Sequence, residues 1–253
     1  MFTIRIADTF IQINERYQYI KQYCRNYIVD DVTPELVIKV SDEEINAEQS
    51  DEYVCSPDYL ETLAVYRKIC ERLVDKGIIL VHSSVLMVDG EAVMFLAPSG
   101  TGKSTHTRLW RQVYGDRVTM INDDKPLVSV TTDDSEVHVN VYGTPWCGKH
   151  GIENNISAPV KALFLLKRNE TNVVRKLTMH EAFPYVLNQT YRPDNAELMR
   201  KTIILSSTMA ENVGLFELGC RKKLHMWLTG QHMEKKERIN HETEIRNCYG
   251  KDW

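Results

Sequence analysis

The residues best suited to do chemistry form a phosphate-binding pattern, Ala97-Pro-Ser-Gly-Thr-Gly-Lys-Ser104. This segment, the 97–104 loop, matches the P-loop sequence except that alanine replaces the first glycine. Its glycines would let backbone N–H groups curl around phosphates, Lys103 would reach the terminal phosphate oxygens, and Ser104 would offer a hydroxyl to Mg²⁺. The alternative is a plain strand-to-helix turn. The nucleotide contacts are predicted to come from Ser99, Gly100, Thr101, Gly102, Lys103, Ser104 and Thr105.

Two adjacent carboxylates, Asp123 and Asp124, follow the apolar stretch 118–121. A carboxylate at the end of a strand beside a P-loop can hold Mg²⁺, as a Walker-B aspartate does. Two acids in a cation-rich site also permit a division of labour, because one can bind the metal while the other accepts the proton of an attacking hydroxyl. A solvated Asn-Asp-Asp turn is the alternative interpretation.

Composition limits the class of protein. The chain has 253 residues, is 43% hydrophobic and 26% charged, and carries a formal net charge of −4. These values fit one large α/β domain, or a catalytic domain with a small appendage. Without a basic excess we expect no nucleic-acid partner, and no apolar run approaches the roughly 18 residues of a membrane span. Six cysteines without a C-x-x-C pair predict reduced thiols, and charged residues interrupt the N-terminal apolar stretch, so we expect a cytoplasmic protein without a membrane anchor.

Apolar periodicity divides the chain into three predicted parts. Residues 1–76 are predicted to form strands and an amphipathic helix, which begins at Ser56-Pro57 and stops at Gly77, packed on the core. Residues 77–231 are predicted to form a P-loop kinase core of strands and helices. Residues 232–253 are predicted to be a charged tail.

Within the predicted core, residues 78–88 are expected to form one strand that carries His82. This strand turns at Asp89-Gly90 into the strand that leads to the 97–104 loop, and residues 103–114 have helical spacing. Capping boxes predict two later helix starts, at Thr178…Glu181 and Asp194…Glu197. A lone histidine on an apolar strand is usually a satisfied core residue, so His82 alone indicates no function.

The order of three motifs resembles one known superfamily. His82-Ser83-Ser84, a hairpin, the 97–104 loop and Asn122-Asp123-Asp124 together resemble the HPr kinase/phosphorylase and phosphoenolpyruvate carboxykinase superfamily over residues 78–130. The resemblance implies that the loop lies in a mixed sheet and that His82 lies in the active site. It also implies that Asp123 is the base and Asp124 the metal ligand.

The chain departs from both enzymes that give the superfamily its name. It is far shorter than a carboxykinase, and it lacks the glycine-rich sequence that follows the aspartates of HPr kinases. It looks like the small HPr-kinase-like proteins that are often associated with peptide modification.

Substrate contacts are predicted at two places after the aspartates. The 142–151 loop contains three glycines, Trp146, Lys149 and His150, which suits a substrate lid that supplies positive charge, or equally a long hairpin connection. Arg192 lies between two predicted helices and would either reach a phosphate or pair with Asp194.

The combined prediction is a kinase that uses ATP and Mg²⁺, or Mn²⁺, and phosphorylates a hydroxyl group. The acceptor would be a serine of a peptide or small protein, or a small hydroxylated metabolite. Lys103, Asp123, Asp124 and His82 are its predicted catalytic residues, and Ser104 and Asp124 its metal ligands. Carboxykinase-like phosphoryl transfer and a nucleotide-sensing module without turnover are the alternatives. The sequence leaves open the acceptor, the reversibility of the reaction and whether the chain forms a homo-oligomer.

Overall fold

The computed structural model describes residues 1–51, 54–148 and 151–221. Within these residues the chain forms two β-sheets flanked by helices, so it is an α/β protein with mixed sheets, as the sequence predicts. The predicted tail at 232–253 and the last residues of the predicted core, from 222, lie outside the described residues. The division of the chain at residue 76 stays a prediction.

The first part of the chain builds the smaller sheet and the longest helix of the described residues. Its elements are β1 (Phe2–Ile6), β2 (Thr9–Asn14), α1 (Gln18–Tyr23), β3 (Ile28–Val29), β4 (Leu36–Lys39), α2 (Asp42–Asn46) and α3 (Pro57–Leu73). The sheet has the order β3-β1-β2-β4. Helix α3 has Ser56 at its N-cap and Pro57 in its first turn, and a short 3-10 turn extends it to Gly77, whose φ is 75°. The predicted limits of this helix are therefore confirmed.

The rest of the described chain builds the larger sheet. Its elements are β5 (Ile78–Leu80), β6 (Ser84–Val88), β7 (Glu91–Leu96), α4 (Lys103–Tyr114), β8 (Val118–Asn122), β9 (Leu127–Asp133), β10 (Glu136–Tyr142), β11 (Ser157–Asn169), β12 (Val173–Lys176), α5 (Met179–Gln189), α6 (Ala196–Glu211) and β13 (Gly214–Arg221). The strand order is β5-β9-β10-β11-β7-β6-β8, and β13 pairs with both β11 and β12. Strand β11 runs parallel to β7 and β13, while the other pairs of this sheet are antiparallel.

The larger sheet must bend back on itself, because strands that are close along the chain lie far apart in the sheet. Strands β5 and β6 are five positions apart, which is about 24 Å in a flat sheet. The chain between Leu80 and Ser84 can span only about 14 Å. Residues 123–126 link β8 to β9 across the same distance. The two links, 81–83 and 123–126, meet where the Ser83 N–H donates to the Asp124 carbonyl over 3.1 Å.

The prediction of one strand over residues 78–88 is wrong. Strand β5 pairs with β9, and β6 pairs with β7 and β8, so His82 lies in the link between two strands and not on a strand. Non-local hydrogen bonds break the strand here, because the backbone N–H of His82 donates to the Gln189 carbonyl over 2.7 Å. The hairpin at Asp89-Gly90 is confirmed: both residues have positive φ, at 50° and 93°.

Helix α6 begins one residue later than its predicted capping box. The cap is Asn195, whose side chain accepts from the backbone N–H groups of Glu197 and Leu198, and Asp194 takes no part in it. Both residue types can cap a helix, so local sequence alone does not choose between neighbours. The capping box of α5 at Thr178 and Glu181 is confirmed.

The two faces of β11 pack against different helices, because successive side chains of a strand point to opposite faces. Ala162, Phe164 and Leu166 share a buried cluster with Trp110 of α4. Leu163 and Leu165 share another with residues of α5 and α6. Helix α4 therefore covers the even-numbered face of β11.

Candidate active site

The 97–104 loop connects β7 to α4, which is the order of elements that a phosphate cradle needs. Gly100 and Gly102 have φ values of 74° and 116°, in the region that favours glycine, and Gly102 caps the helix. A Cβ added at either glycine would meet no atom within 4 Å. The loop therefore has space beside its backbone for a ligand, at the N-terminus of a helix, where anions are stabilised.

Lys103 begins α4 with its side chain turned back into the protein. The residue is 8% exposed, and its ammonium donates to the carbonyl of Ala97 over 2.7 Å. Burial lowers the Lys103 pKa, while the charges of Asp124 and Asp123 raise it. Because these carboxylates act on the Lys103 charge, the lysine and the aspartate pair belong to one electrostatic site.

Asp123 is 5% exposed, and its carboxylate is hydrogen-bonded to β6, the strand that precedes β7. The hydroxyl of Ser84, on β6, donates to Asp123 Oδ1 over 2.5 Å. Thr107 Oγ1 of α4 lies 3.2 Å from the same Ser84 oxygen. These contacts fix one carboxylate beside the helix that Lys103 begins.

Asp124 is partly exposed and contacts His82. The distance between His82 Nε2 and Asp124 Oδ1 is 3.1 Å. Burial alone would raise the Asp124 pKa, but the His82 hydrogen bond and the charges of Lys125, His82 and Lys103 hold it below its usual range. Asp124 is therefore an ionised carboxylate at neutral pH, which suits the binding of a cation.

Asn122 orients the turn that carries Asp123 and Asp124, here called the acidic turn. Its Oδ1 accepts from the backbone N–H groups of both Asp124 and Lys125 over 2.8 Å. Its Nδ2 donates to the carbonyl and the hydroxyl oxygen of Thr144, over 3.0 and 3.1 Å. The sequence pattern Asn-Asp-Asp contains this residue but does not reveal that its side chain organises the turn.

The described part of the 142–151 loop lies against the acidic turn. The hydroxyl of Thr144 donates to the Lys125 carbonyl over 2.8 Å, and a Cβ on Gly148 would lie 3.0 Å from the Cβ of Asp124. Trp146 is buried and stacks on Tyr66 of α3, with ring centroids 4.0 Å apart. Lys149 and His150, the predicted substrate contacts of this loop, lie outside the described residues.

Arg192 is exposed and lies near the link that carries His82. The N–H of the preceding residue, Tyr191, donates to the Leu80 carbonyl over 2.9 Å. No ion pair joins Arg192 to Asp194 in the part of the chain that the structure describes. Its predicted contact with a phosphate remains a prediction.

Sequence reasoning missed two cations at the site. Lys125 lowers the Asp124 pKa by its charge. Arg168 of β11 donates from a terminal guanidinium nitrogen to the Gly100 carbonyl over 3.0 Å. The position of Lys125 next to the aspartates could have drawn attention to it, whereas Arg168 is 65 positions from Lys103 in the sequence (168 − 103) and only the sheet register brings it to the loop.

The described residues of the site include oxygen donors that could serve as partial ligands of a metal ion. Among the described residues, no group of three or more His, Cys, Asp and Glu side chains could hold a metal ion. Mg²⁺ usually takes one or two carboxylates and completes its shell with water and phosphate oxygens. Asp124 and the Ser104 hydroxyl could serve as such partial ligands.

These features define the class: an α/β protein with a glycine-containing loop between a strand and a helix, beside two carboxylates and a lysine. A family model described as SynChlorMet cassette protein ScmC matches residues 48–239, which is more than half of the chain. The chain belongs to this family. No curated protein matches it.

Among solved structures, the chain is similar to the HPr(Ser) kinase/phosphatase from Coxiella burnetii. The match covers 67% of this chain and 90% of that chain, with 11% sequence identity and a TM-score of 0.31. Of the helices that the structure describes, none is long and apolar enough to cross a membrane.

Proposed function

We propose that this protein is an ATP- and Mg²⁺-dependent kinase that transfers the terminal phosphoryl group to a hydroxyl acceptor. The observation that carries the proposal is geometric: Ser84 bonds the Asp123 carboxylate and lies 3.2 Å from Thr107 of α4, the helix that Lys103 begins directly after a glycine-containing loop. A cation and two carboxylates beside a helix N-terminus are the groups that phosphoryl transfer uses. The motif order supports membership of the HPr kinase and carboxykinase superfamily. The proposed reaction uses ATP, so the proposed location is the cytoplasm.

In the proposed reaction the acceptor oxygen forms a bond to the terminal phosphorus. The bond from this phosphorus to the bridging oxygen breaks, ADP leaves with the electron pair, and the acceptor proton passes to Asp123. Lys103 stabilises charge on the phosphate oxygens, with backbone N–H groups of residues 99–105 around them. His82 holds Asp124 in place through its contact with Asp124 Oδ1, and it orients the acceptor.

We assign Asp124 to the metal from its place in the motif order, and its electrostatics support the assignment. The His82 hydrogen bond and the neighbouring cations hold the Asp124 pKa below its usual range, which suits a carboxylate that stays ionised beside a cation. Ser104 and Asp124 would hold Mg²⁺ or Mn²⁺, which would supply positive charge to the phosphates when bound. Asp123, bound by Ser84, is left for the acceptor proton.

The family description suggests which acceptor to test first. The family's description as a cassette protein makes a polypeptide encoded in the same cassette the first acceptor to test. A serine of that polypeptide, or a small hydroxylated metabolite, would supply the attacking oxygen. Lys149, His150 and Arg192 are the proposed substrate contacts.

The test is ATP turnover by the purified protein, with mass spectrometry of each candidate acceptor. We expect an increase of 80 Da, about one phosphoryl group, on the acceptor only when ATP and Mg²⁺ or Mn²⁺ are present. Asp123→Asn should slow it by about 10² to 10⁴, while Asp116→Asn, which changes an exposed carboxylate outside the site, should not. Binding of ATP without turnover toward any acceptor would favour the nucleotide-sensing alternative, and turnover that requires oxaloacetate would favour the carboxykinase-like one.

Metal dependence is measured separately by thermal unfolding. ATP should raise the unfolding temperature in Mg²⁺ or Mn²⁺ and should lose most of this effect in excess EDTA, since binding to the folded state alone stabilises it. A full shift from ATP in EDTA would contradict the assignment of Ser104 and Asp124 to a metal ion.

A further inference from the structure

Arg168 reaches the 97–104 loop because of the register of two parallel strands. Strand β11 runs parallel to β7, and Leu165 is paired with Leu96 at the end of their ladder. Beyond this pair the two chains continue in the same direction, so residues 166–169 run beside the start of the 97–104 loop. Ligands of α/β sheets bind at this edge, outside the carboxyl ends of the strands.

The alternation of β11 directs Arg168 toward α4. Arg168 has the same parity as Phe164 and Leu166, whose side chains share a cluster with Trp110 of α4. Its neighbour Lys167 faces the other way, because it pairs with Glu217 over 2.5 Å and lies 5.2 Å above the ring of Tyr185 on α5. The two adjacent cations therefore serve opposite faces of the sheet.

Within the described residues, the Arg168 guanidinium donates to one backbone carbonyl, that of Gly100, over 3.0 Å, and the side chain is exposed. A guanidinium is a cation with five N–H donors in a planar fork. Two parallel N–H groups of such a fork can bind two oxygens of one phosphate group, and this fork lies beside the glycine-containing loop.

We propose that Arg168 is a catalytic residue that contacts the terminal phosphoryl group and stabilises its charge during transfer. This inference rests on the proposed kinase function and adds a cation to it from the sheet, on the side of the loop that Lys103 does not cover. Lys103 is buried and directed to the Ala97 carbonyl, whereas Arg168 approaches from the exposed end at Gly100. The two cations would bind different oxygens of the same phosphoryl group.

The test compares Arg168→Ala, Arg168→Lys and the matched control Lys167→Ala, which removes a charge from the adjacent residue on the opposite face. We measure turnover, and the affinities for ATP and ADP in Mg²⁺. Arg168→Ala should lower kcat by about 10³-fold, the lower end of what a phosphoryl-contacting arginine contributes. It should weaken ATP at least tenfold and ADP less than threefold, and Arg168→Lys should recover only part of the rate. Lys167→Ala should behave like the parent.

The outcomes separate this inference from the function on which it rests. If Arg168 only holds the loop through the Gly100 carbonyl, Arg168→Ala should weaken ATP and ADP equally and lysine should restore both, and that result would overturn the proposal. Unchanged turnover in Arg168→Ala would overturn it as well. If the parent itself binds no nucleotide, the kinase proposal fails first. Far-ultraviolet circular dichroism and the unfolding temperature show whether each variant is folded. If Arg168→Ala is not folded, the turnover and nucleotide affinities of Arg168→Lys are compared with those of the parent instead.

Discussion

Replacing Asn122 by alanine should lower both the stability of the protein and its turnover, because Asn122 holds the acidic turn in place. Asn122 is fully buried, and its side chain makes close hydrogen bonds to four groups: the N–H of Asp124, the N–H of Lys125, and the carbonyl and hydroxyl of Thr144. A hydrogen bond contributes about 1 kcal/mol net, and a buried donor left unsatisfied costs about 1–3 kcal/mol. The two donors of Nδ2 share neighbouring acceptors, so we count two to four effective bonds and expect a loss of about 2–4 kcal/mol.

The matched control is Asn154→Ala. Asn154 is also an asparagine that contacts β8, but within the described residues its side chain makes one hydrogen bond, from Nδ2 to the Met120 carbonyl over 2.8 Å. Its loss should cost about 1 kcal/mol. Urea unfolding followed by the fluorescence of the buried Trp110 and Trp146 measures both values.

The same pair of variants tests the role of the turn in the site. Asn122→Ala removes the acceptor that holds the backbone N–H groups of Asp124 and Lys125. Turnover should therefore fall much further than in Asn154→Ala, under conditions in which both variants are folded. Equal loss of stability in the two variants, or normal turnover in folded Asn122→Ala, would refute the reasoning that Asn122 positions the carboxylates.

Three further predictions concern charges at and near the site. Lys103→Ala should weaken Mg·ATP at least tenfold in calorimetry, about 1.4 kcal/mol, with the fold kept; a titration like the parent's would exclude a phosphate contact. Asp123→Asn should keep Mg·ATP affinity and lose about 10² to 10⁴ in kcat, whereas Asp124→Asn should lose affinity as well; two variants that both behave normally would falsify the catalytic assignment. Burial lowers the pKa of His106 to about 3. Between the unfolded value near 6.5 and about 3 the unfolded chain binds this proton and the folded chain does not, so the free energy of unfolding falls as pH falls, with a slope that approaches about 1.4 kcal/mol per pH unit. Between pH 7 and 5, where the unfolded histidine is still titrating, the parent should lose about 2 kcal/mol more than His106→Gln. Equal pH slopes in urea unfolding would contradict this.

Local signals predicted the elements that local chemistry determines. The start of α3 at Ser56-Pro57, its stop at Gly77 and the hairpin at Asp89-Gly90 depend on backbone conformations that proline fixes and glycine permits, and all three are confirmed. The helix after the 97–104 loop begins at Lys103 for the same reason, because the preceding glycine adopts a backbone conformation that other residues avoid.

The break at His82 could not be read from the sequence, because the apolar runs 78–81 and 85–88 on its two sides suit a single strand. The partners that interrupt the strand come from distant segments: Gln189 ends α5, and Asp124 follows β8. Arg168 escaped notice for a related reason, since only the parallel register of β11 with β7 brings it beside Gly100. Contacts between distant segments are set by packing, which periodicity does not record.

The bend of the larger sheet explains why these distant groups meet. Each of two short links crosses between strands that are five positions apart in the sheet, and each carries part of the site: residues 81–83 include His82, and residues 123–126 include both aspartates. Because the links are too short to cross a flat sheet, they must approach each other, and the approach places His82 Nε2 3.1 Å from Asp124 Oδ1. The 97–104 loop leaves β7, the strand next to β6, so Lys103 enters the same junction. A change that lengthened either link would relax the bend and separate the histidine and the lysine from the carboxylates, even if every site residue were kept.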